Sequence, residues 1–174
     1  MLVEVRVQSL GLDRSSDDTP VVILKELDGE RILPIWIGPG EASAIAMHLA
    51  DYKFARPLTH DLVVSVLKGL GGTVQKVIIT RVVESTYYAE LILQRNGQVI
   101  SLDARPSDSI AVALRCDARI FADDELLQHS SIQIAEDETM PPPQEADAPK
   151  VIGPEELREH LRKLNPEDFG RFTP

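Results

Sequence analysis

The strongest constraint on the fold is an Asn96-Gly97 pair between two stretches rich in β-branched, aliphatic and aromatic residues. Tyr87–Arg95 precedes the pair, and Gln98–Asp103 follows it. Asn and Gly readily adopt the positive φ angles of a two-residue hairpin turn, so the pattern predicts two antiparallel strands joined by a tight turn. The chain is therefore expected to contain a β-sheet.

Further strands are predicted on both sides of this hairpin. Residues 3–7 alternate between valine and charged residues, which is typical of a strand with one buried face. Val21–Lys25 and Arg31–Ile37 flank an Asp-Gly turn and predict a second hairpin. Pro34 has no N–H to donate, so its strand is expected at a sheet edge or at a bulge.

Three helices are predicted between the strands. Residues 41–50 are rich in alanine, with apolar residues at helical spacing. Thr59 is the expected N-cap of a second helix, and Ser107 or Asp108 can cap a third, Ser109–Arg115. The expected buried stripe of the second helix is Leu62, Val63, Val66, Leu67 and Leu70. We therefore predict an α+β fold, in which helices pack on a mixed or antiparallel sheet.

The chain divides into three regions by composition. Residues 1–134 are expected to form a single compact domain. Residues 135–149 contain five acids, no base and several prolines, and are interpreted as a linker. Residues 150–174 predict an amphipathic helix and tail, with Leu157, Leu161 and Leu164 on one side, expected to dock on the domain, on another subunit or on another protein.

Composition also bears on location and partners. The first residues alternate charged and apolar side chains, so neither a signal peptide nor a membrane span is expected. The single cysteine, Cys116, excludes an internal disulfide, fits a reducing cytoplasm and is expected to be a small buried hydrophobe. The net charge of −10 disfavours nucleic-acid binding, although half of the excess lies in the linker.

The first of three polar segments contains Trp36 and Glu41 around a glycine turn at the start of a helix. Glycine allows close backbone approach, and a helix N-terminus offers free N–H groups to an anion. Trp36 is either a core residue, which its apolar neighbours favour, or a base-stacking platform. Glu41 either complements the helix dipole or binds a ligand.

The second segment contains Arg56, His60 and Asp61 at the start of a helix. A histidine beside an acid can supply acid–base chemistry or two metal ligands, and an arginine can bind phosphate. Adjacent helical residues point in different directions, however, so His60 and Asp61 need not converge. Asp61 also fits the role of an acid that caps the helix.

The third segment contains Asp103, Arg105, Ser107 and Asp108, the densest polar cluster of the domain. Its two carboxylates could hold Mg²⁺ or Mn²⁺, and Arg105 could bind a phosphate. In the alternative interpretation, Ser107 and Asp108 cap the helix while Asp103 and Arg105 form a buried ion pair. The residues alone leave both interpretations open.

Taken in order, these segments resemble the bifunctional nuclease domain of bacteria and plants. The resemblance rests on residues 33–42, 56–62 and 103–113 and covers approximately residues 1–130. It implies hydrolysis of phosphodiester bonds in DNA and RNA, assisted by Mg²⁺ or Mn²⁺, in a protein that self-associates. A non-catalytic, oligomeric binding or regulatory module is the alternative, favoured by the net charge and by the lack of an established catalytic signature.

The expected roles of the site residues combine the resemblance with the chemistry of each side chain. His60 and Asp61 are assigned to proton transfer, and Asp103 and Asp108 to catalysis as metal or base carboxylates. Glu41 is the third expected metal ligand. The substrate-binding residues are expected to be Arg56, Arg105, Ser107 and Trp36.

Overall fold

A computed structural model describes residues 1–13, 15 and 18–129, together with the backbone of residues 150–151. The strands are β1 (Leu2–Asp13), β2 (Thr19–Glu26), β3 (Ile32–Trp36), β4 (Gly72–Val83), β5 (Thr86–Arg95), β6 (Gln98–Ala104), β7 (Arg119–Asp123) and β8 (Lys150–Val151). The helices are α1 (Pro39–Leu49), α2 (Thr59–Gly69), α3 (Pro106–Cys116) and α4 (124–129). The predicted linker and the predicted C-terminal helix lie outside the described residues.

The strands form one mixed sheet with the order β3-β2-β1-β7-β4-β5-β6, and β8 pairs with β1 beside this path. The pair β4 and β7 is parallel, whereas the other recorded pairs are antiparallel. Helices pack on this sheet, so the predicted α+β class is confirmed.

Both predicted hairpins are present, β2 with β3 and β5 with β6. Asn96 and Gly97 have φ angles of 50° and 77°, as a two-residue turn between β5 and β6 requires. Pro34 lies in β3, which is an edge strand of the sheet among the described residues. On its outer side β3 pairs with no other described strand, so the missing N–H of Pro34 costs no hydrogen bond there. The edge position predicted from Pro34 is confirmed.

The core lies between the sheet and α3. Alternate residues of β4 and β5 are buried, among them Val77, Ile79 and Leu91, while Ile110 and Ala113 of α3 are fully buried. This helix contacts α1, α2 and the strands β4, β5 and β7. Cys116, at its end, is partly buried and packs against the core, and burial raises the pKa of its thiol. Helix α3 is therefore the central element on which the other two long helices rest.

The buried face predicted for α2 is wrong for most of its residues, although Leu67 of the predicted stripe packs against the core. Leu62, Val66 and Leu70 are each at least half exposed, and the buried residue of the helix is Val64. The helix lies at the margin of the domain and meets α3 and β4 through its other side. Its N-cap is Leu58 rather than Thr59.

Asp103 lies on the face of the sheet that is opposite the helices. This residue pairs with Glu90 in the β5–β6 ladder, and Glu90 lies between the buried Ala89 and Leu91. Successive strand residues point to opposite faces, and directly paired residues share a face. The side chain of Asp103 therefore points away from the helices.

Within the described residues, the helices are all too short or too polar to span a membrane.

Candidate functional site

Three helix starts meet at one place. Proline occupies the first position of α1 and of α3, where its fixed φ angle favours helix initiation and its missing N–H costs nothing. Glu41, His60 and Asp108 lie in the first turns of α1, α2 and α3, and side-chain hydrogen bonds link them through Arg105. Each helix N-terminus carries partial positive charge, so their convergence favours a bound anion.

Arg105 bridges two carboxylates. Its Nε donates to Oδ2 of Asp108 at 2.7 Å, and its Nη2 donates to Oε1 of Glu41 at 2.5 Å. Both hydrogen bonds raise the pKa of the Arg105 guanidinium, and the one to Asp108 has the larger effect. The arginine side chain is 66% exposed, so it is the member of the cluster that a solvent-borne ligand meets first.

The alternative interpretation of the third segment is therefore wrong in both parts. Arg105 pairs with Asp108 and Glu41 instead of forming a buried pair with Asp103. Arg105 itself is the N-cap of α3, and no side chain makes a capping hydrogen bond there.

The turn before α1 brings Glu41 into reach of Arg105. A Cβ atom added to Gly38 would collide with Oε2 of Glu41. Glycine at this position therefore lets the carboxylate fold back over the turn.

His60 makes a hydrogen bond with the second carboxylate oxygen of Asp108. Its Nε2 lies 3.1 Å from Oδ1, and the imidazole is 14% exposed. Burial by itself would raise the pKa of Asp108, but hydrogen bonds from Arg105 and His60 outweigh it, so that the pKa of Asp108 lies below its usual range. An ionised carboxylate only accepts hydrogen bonds, so Nε2 of His60 donates its N–H to Oδ1 of Asp108.

Asp61 has a different set of partners, behind the cluster. Its Oδ1 accepts a hydrogen bond from Nε of Arg115 at 2.5 Å, and its Oδ2 accepts one from the backbone N–H of Leu58 at 2.8 Å. Arg115 also donates to the carbonyl of Ala44 at 3.1 Å, which ties α1, α2 and α3 together. Asp61 thus fits the role of a structural acid at the helix start.

The remaining predicted residues do not take part in the hydrogen bonds that link the cluster. Trp36 is 46% exposed and its indole N–H donates to Oδ2 of Asp13 at 2.8 Å, so the core interpretation of Trp36 is wrong. Ser107 is buried, and Arg56 is exposed four residues before His60. Asp103 lies on the other face of the sheet. The structure therefore brings together Glu41, His60, Arg105 and Asp108 from the predicted set.

The cluster in this arrangement does not fit a resident metal ion. Among the described residues, no group of three or more His, Cys, Asp or Glu side chains is placed to hold one. The guanidinium of Arg105 stands between the two carboxylates that a cation would need. Asp103, the remaining expected ligand, points away from the helices. The metal requirement stays a prediction.

Fold and site together define an α+β domain with an ionised, solvent-accessible cluster of acid, base and arginine at converging helix starts. The sequence profile of the bifunctional nuclease domain matches residues 22–135, a range that contains the whole cluster. The chain belongs to the bifunctional nuclease domain family.

Individual relatives fall into two groups. An uncharacterised protein of Mycobacterium tuberculosis (strain ATCC 25618 / H37Rv) is 37% identical over 169 residues, which are 95% of this chain and 97% of the relative. Bifunctional nuclease 1 of Oryza sativa subsp. japonica is 29% identical over 129 residues, 71% of this chain and 39% of that protein. Bifunctional nuclease 1 of Arabidopsis thaliana is 29% identical over 121 residues, 67% of this chain and 37% of that protein. The chain thus spans less than half the length of these plant relatives.

Proposed function

We propose that this protein hydrolyses phosphodiester bonds in both DNA and RNA with low sequence specificity. Membership of the family and the names of the plant relatives support a nuclease. The observation that carries the proposal is the arrangement of Arg105 and His60 on opposite oxygens of Asp108. It combines a positive charge for phosphate with an acid–base pair in one accessible cluster.

The proposed chemistry follows from the protonation of this pair. Asp108 is ionised and accepts the Nε2–H of His60, which leaves Nδ1 of the ring to take a proton from an attacking water. Asp108 then stabilises the imidazolium that forms. As the water oxygen bonds to phosphorus, the P–O bond to the leaving oxygen breaks, the leaving oxygen takes a proton from solvent, and the imidazolium releases its proton to solvent. Arg105 and the N-terminal N–H groups of the helices stabilise the negative charge that develops on the phosphate. Positioned acid–base groups of this kind contribute about 10²–10⁴ in rate.

Low sequence specificity is expected from the same contacts. Arginine and helix N-termini recognise phosphate oxygens, which DNA and RNA share and which carry no base information. Within the described residues, none of the polar groups of the cluster is assigned a contact with the edge of a base. The net charge of −10 makes binding depend on local positive charge and on low salt.

Purified protein should cleave single-stranded DNA and single-stranded RNA, with the activity coeluting with the protein on a sizing column. The products of both substrates are resolved on denaturing gels at low ionic strength. Absence of cleavage in every fraction, combined with measurable oligonucleotide binding, would instead support a non-catalytic binding module. That alternative is favoured by one observation, which is that the charged groups of the cluster already satisfy one another.

Replacing Arg105 with Gln should tighten the binding of Mn²⁺. A divalent cation can occupy the space between Glu41 and Asp108 only after the guanidinium leaves it, so removing the arginine removes a competing cation. We expect the Mn²⁺ dissociation constant, measured by isothermal titration calorimetry, to fall at least about tenfold relative to wild type, because opposite charges this close interact by at least about 1.4 kcal/mol.

The matched control for this titration is Arg119→Gln, which removes an equally exposed arginine from the other face of the sheet and should leave Mn²⁺ affinity unchanged. Equal affinity in wild type and Arg105→Gln would show that no cation binds between these two carboxylates.

A further inference from the structure

The loop between α1 and α2 exposes a pair of aromatic rings. Tyr52 is 57% exposed and Phe54 is 43% exposed. Their ring centroids lie 4.8 Å apart, with the ring planes inclined by 47°. Large rings gain most of their stabilising effect from burial, and neither of these rings belongs to the core cluster. The exposed pair is thus available to an external ligand.

The same loop is locally basic in an acidic chain. Lys53 and Arg56 interleave with the rings in the order Tyr52-Lys53-Phe54-Ala55-Arg56. The single acid of residues 51–58 is Asp51, whose Oδ2 lies 3.9 Å from Nζ of Lys53 on a fully solvated surface. Such a surface pair contributes little, so Lys53 can exchange it for another anion. The loop therefore presents positive charge on a chain whose net charge is −10.

Both ends of the loop are fixed by hydrogen bonds that backbone N–H groups donate. At its start, the N–H of Tyr52 donates to the carbonyl of Met47, and Asp51 adopts a φ of 50° that closes α1. At its end, the N–H of Leu58 donates to Asp61. Five residues lie between Phe54 and His60, so the two are six steps apart along the chain and their Cα atoms lie within about 20 Å, because each step spans at most about 3.5 Å. A strand of a few nucleotides covers that distance.

We propose that residues 52–56, the aromatic loop, bind single-stranded nucleic acid by stacking bases on Tyr52 and Phe54, with Lys53 and Arg56 on the flanking phosphates. Exposed rings with interleaved cations are the chemistry of sequence-tolerant single-strand binding, because every base has a face to stack and every nucleotide a phosphate. Bases of a duplex are already stacked, so the loop selects unpaired strands. This inference rests on the proposed nuclease function, since it supplies the strand to the Arg105 cluster.

The test compares two double variants in an Asp108→Asn background, in which cleavage during the measurement is expected to be at least about a hundredfold slower. Tyr52→Leu with Phe54→Leu removes the rings but keeps apolar bulk, whereas Tyr52→Phe with Phe54→Tyr keeps both rings. The probe is a fluorescein-labelled single-stranded oligonucleotide followed by fluorescence anisotropy. We expect the leucine pair to weaken binding at least tenfold and the ring-preserving pair to stay within about twofold. A duplex of the same sequence should bind more weakly, and equally to both variants.

Charge is tested separately, so that the proposal does not depend on one pair of variants. Lys53→Gln should reduce the slope of log affinity against log salt concentration by about 0.7, the contribution of one phosphate contact on a single strand. Thermal melting of each variant checks folding, and these exposed side chains should leave the melting temperature unchanged.

Failure of this inference is distinguishable from failure of the nuclease proposal. Unchanged affinity in the leucine pair, or no binding of single strands by the parent protein, would overturn the role of the aromatic loop, whether or not the wild type cleaves. Ring-dependent binding without any cleavage by wild type would support the loop and refute the nuclease proposal.

Discussion

Asparagine in place of Asp108 should lower the cleavage rate of single-stranded DNA and RNA at least about a hundredfold, the usual contribution of a positioned acid–base group. The amide keeps the size of the side chain, and its oxygen still accepts a hydrogen bond from His60. It carries no charge, however, so it cannot stabilise an imidazolium at His60 or hold the guanidinium of Arg105. Initial rates with labelled oligonucleotides should show the loss mainly in kcat, because substrate can still bind at the cluster.

Asp103→Asn is the matched control for this substitution. It makes the same chemical change five residues away, on an exposed strand residue whose side chain points to the opposite face of the sheet. Cleavage by this variant should stay within about twofold of wild type, as expected for a surface change remote from the site. Wild-type rates in Asp108→Asn, or an equal loss in Asp103→Asn, would contradict the proposed site.

The parts of the fold that follow from local chemistry were predictable. The turn at Asn96 and Gly97 depends on φ angles that few other residues adopt, and the edge position of β3 follows from the missing N–H of Pro34. The buried face of α2 was not predictable from its own apolar residues. Apolar side chains occupy most sides of that helix, and its neighbours α3 and β4 decide which side is covered.

The candidate site divides in the same way. Sequence reasoning selected the segments that contain Glu41, His60, Arg105 and Asp108, because polar residues at helix starts are concentrated there. Their hydrogen-bonding partners depend on how α1, α2 and α3 cross, and this is a property of packing. The orientation of Asp103, by contrast, was accessible. It lies between Leu102 and Ala104 in a strand, and period-two alternation places it opposite those apolar neighbours.

Arg115 was missed altogether, although its position contained a signal. It follows Asp108 by seven residues, two helical turns, so the two side chains share a face of α3. An arginine on the same face of α3 as Asp108 is a candidate for hydrogen bonds to the neighbouring helices α1 and α2. Its partner is Asp61, an acid that helical geometry gave no reason to place beside His60.

Methionine in place of Arg115 should reduce the free energy of unfolding by about 2–4 kcal/mol, somewhat less than for a fully buried pair because Asp61 is partly exposed. The arginine side chain is 8% exposed and bonds to Oδ1 of Asp61 and to the carbonyl of Ala44, so each of these oxygens loses the hydrogen bond from Arg115. For a chain of this size the melting temperature should fall by about 5–15 °C. Arg119→Met is the control, since that arginine is 69% exposed and lies 3.8 Å from Glu4, an arrangement worth less than about 1 kcal/mol.

The cost of Arg115→Met should also depend on pH. Burial by itself would raise the pKa of Asp61, but hydrogen bonds from Leu58 and Arg115 outweigh it and lower the pKa below the ordinary value of 3.8. A carboxylate with a depressed pKa contributes its stability fully above the ordinary value, and that contribution is lost as the pH falls through the folded value. The difference between wild type and variant, from urea unfolding, should therefore be largest near neutral pH and shrink below about pH 4. An equal difference at pH 3 and pH 7 would mean that the stabilisation by Arg115 does not come from its charge on Asp61.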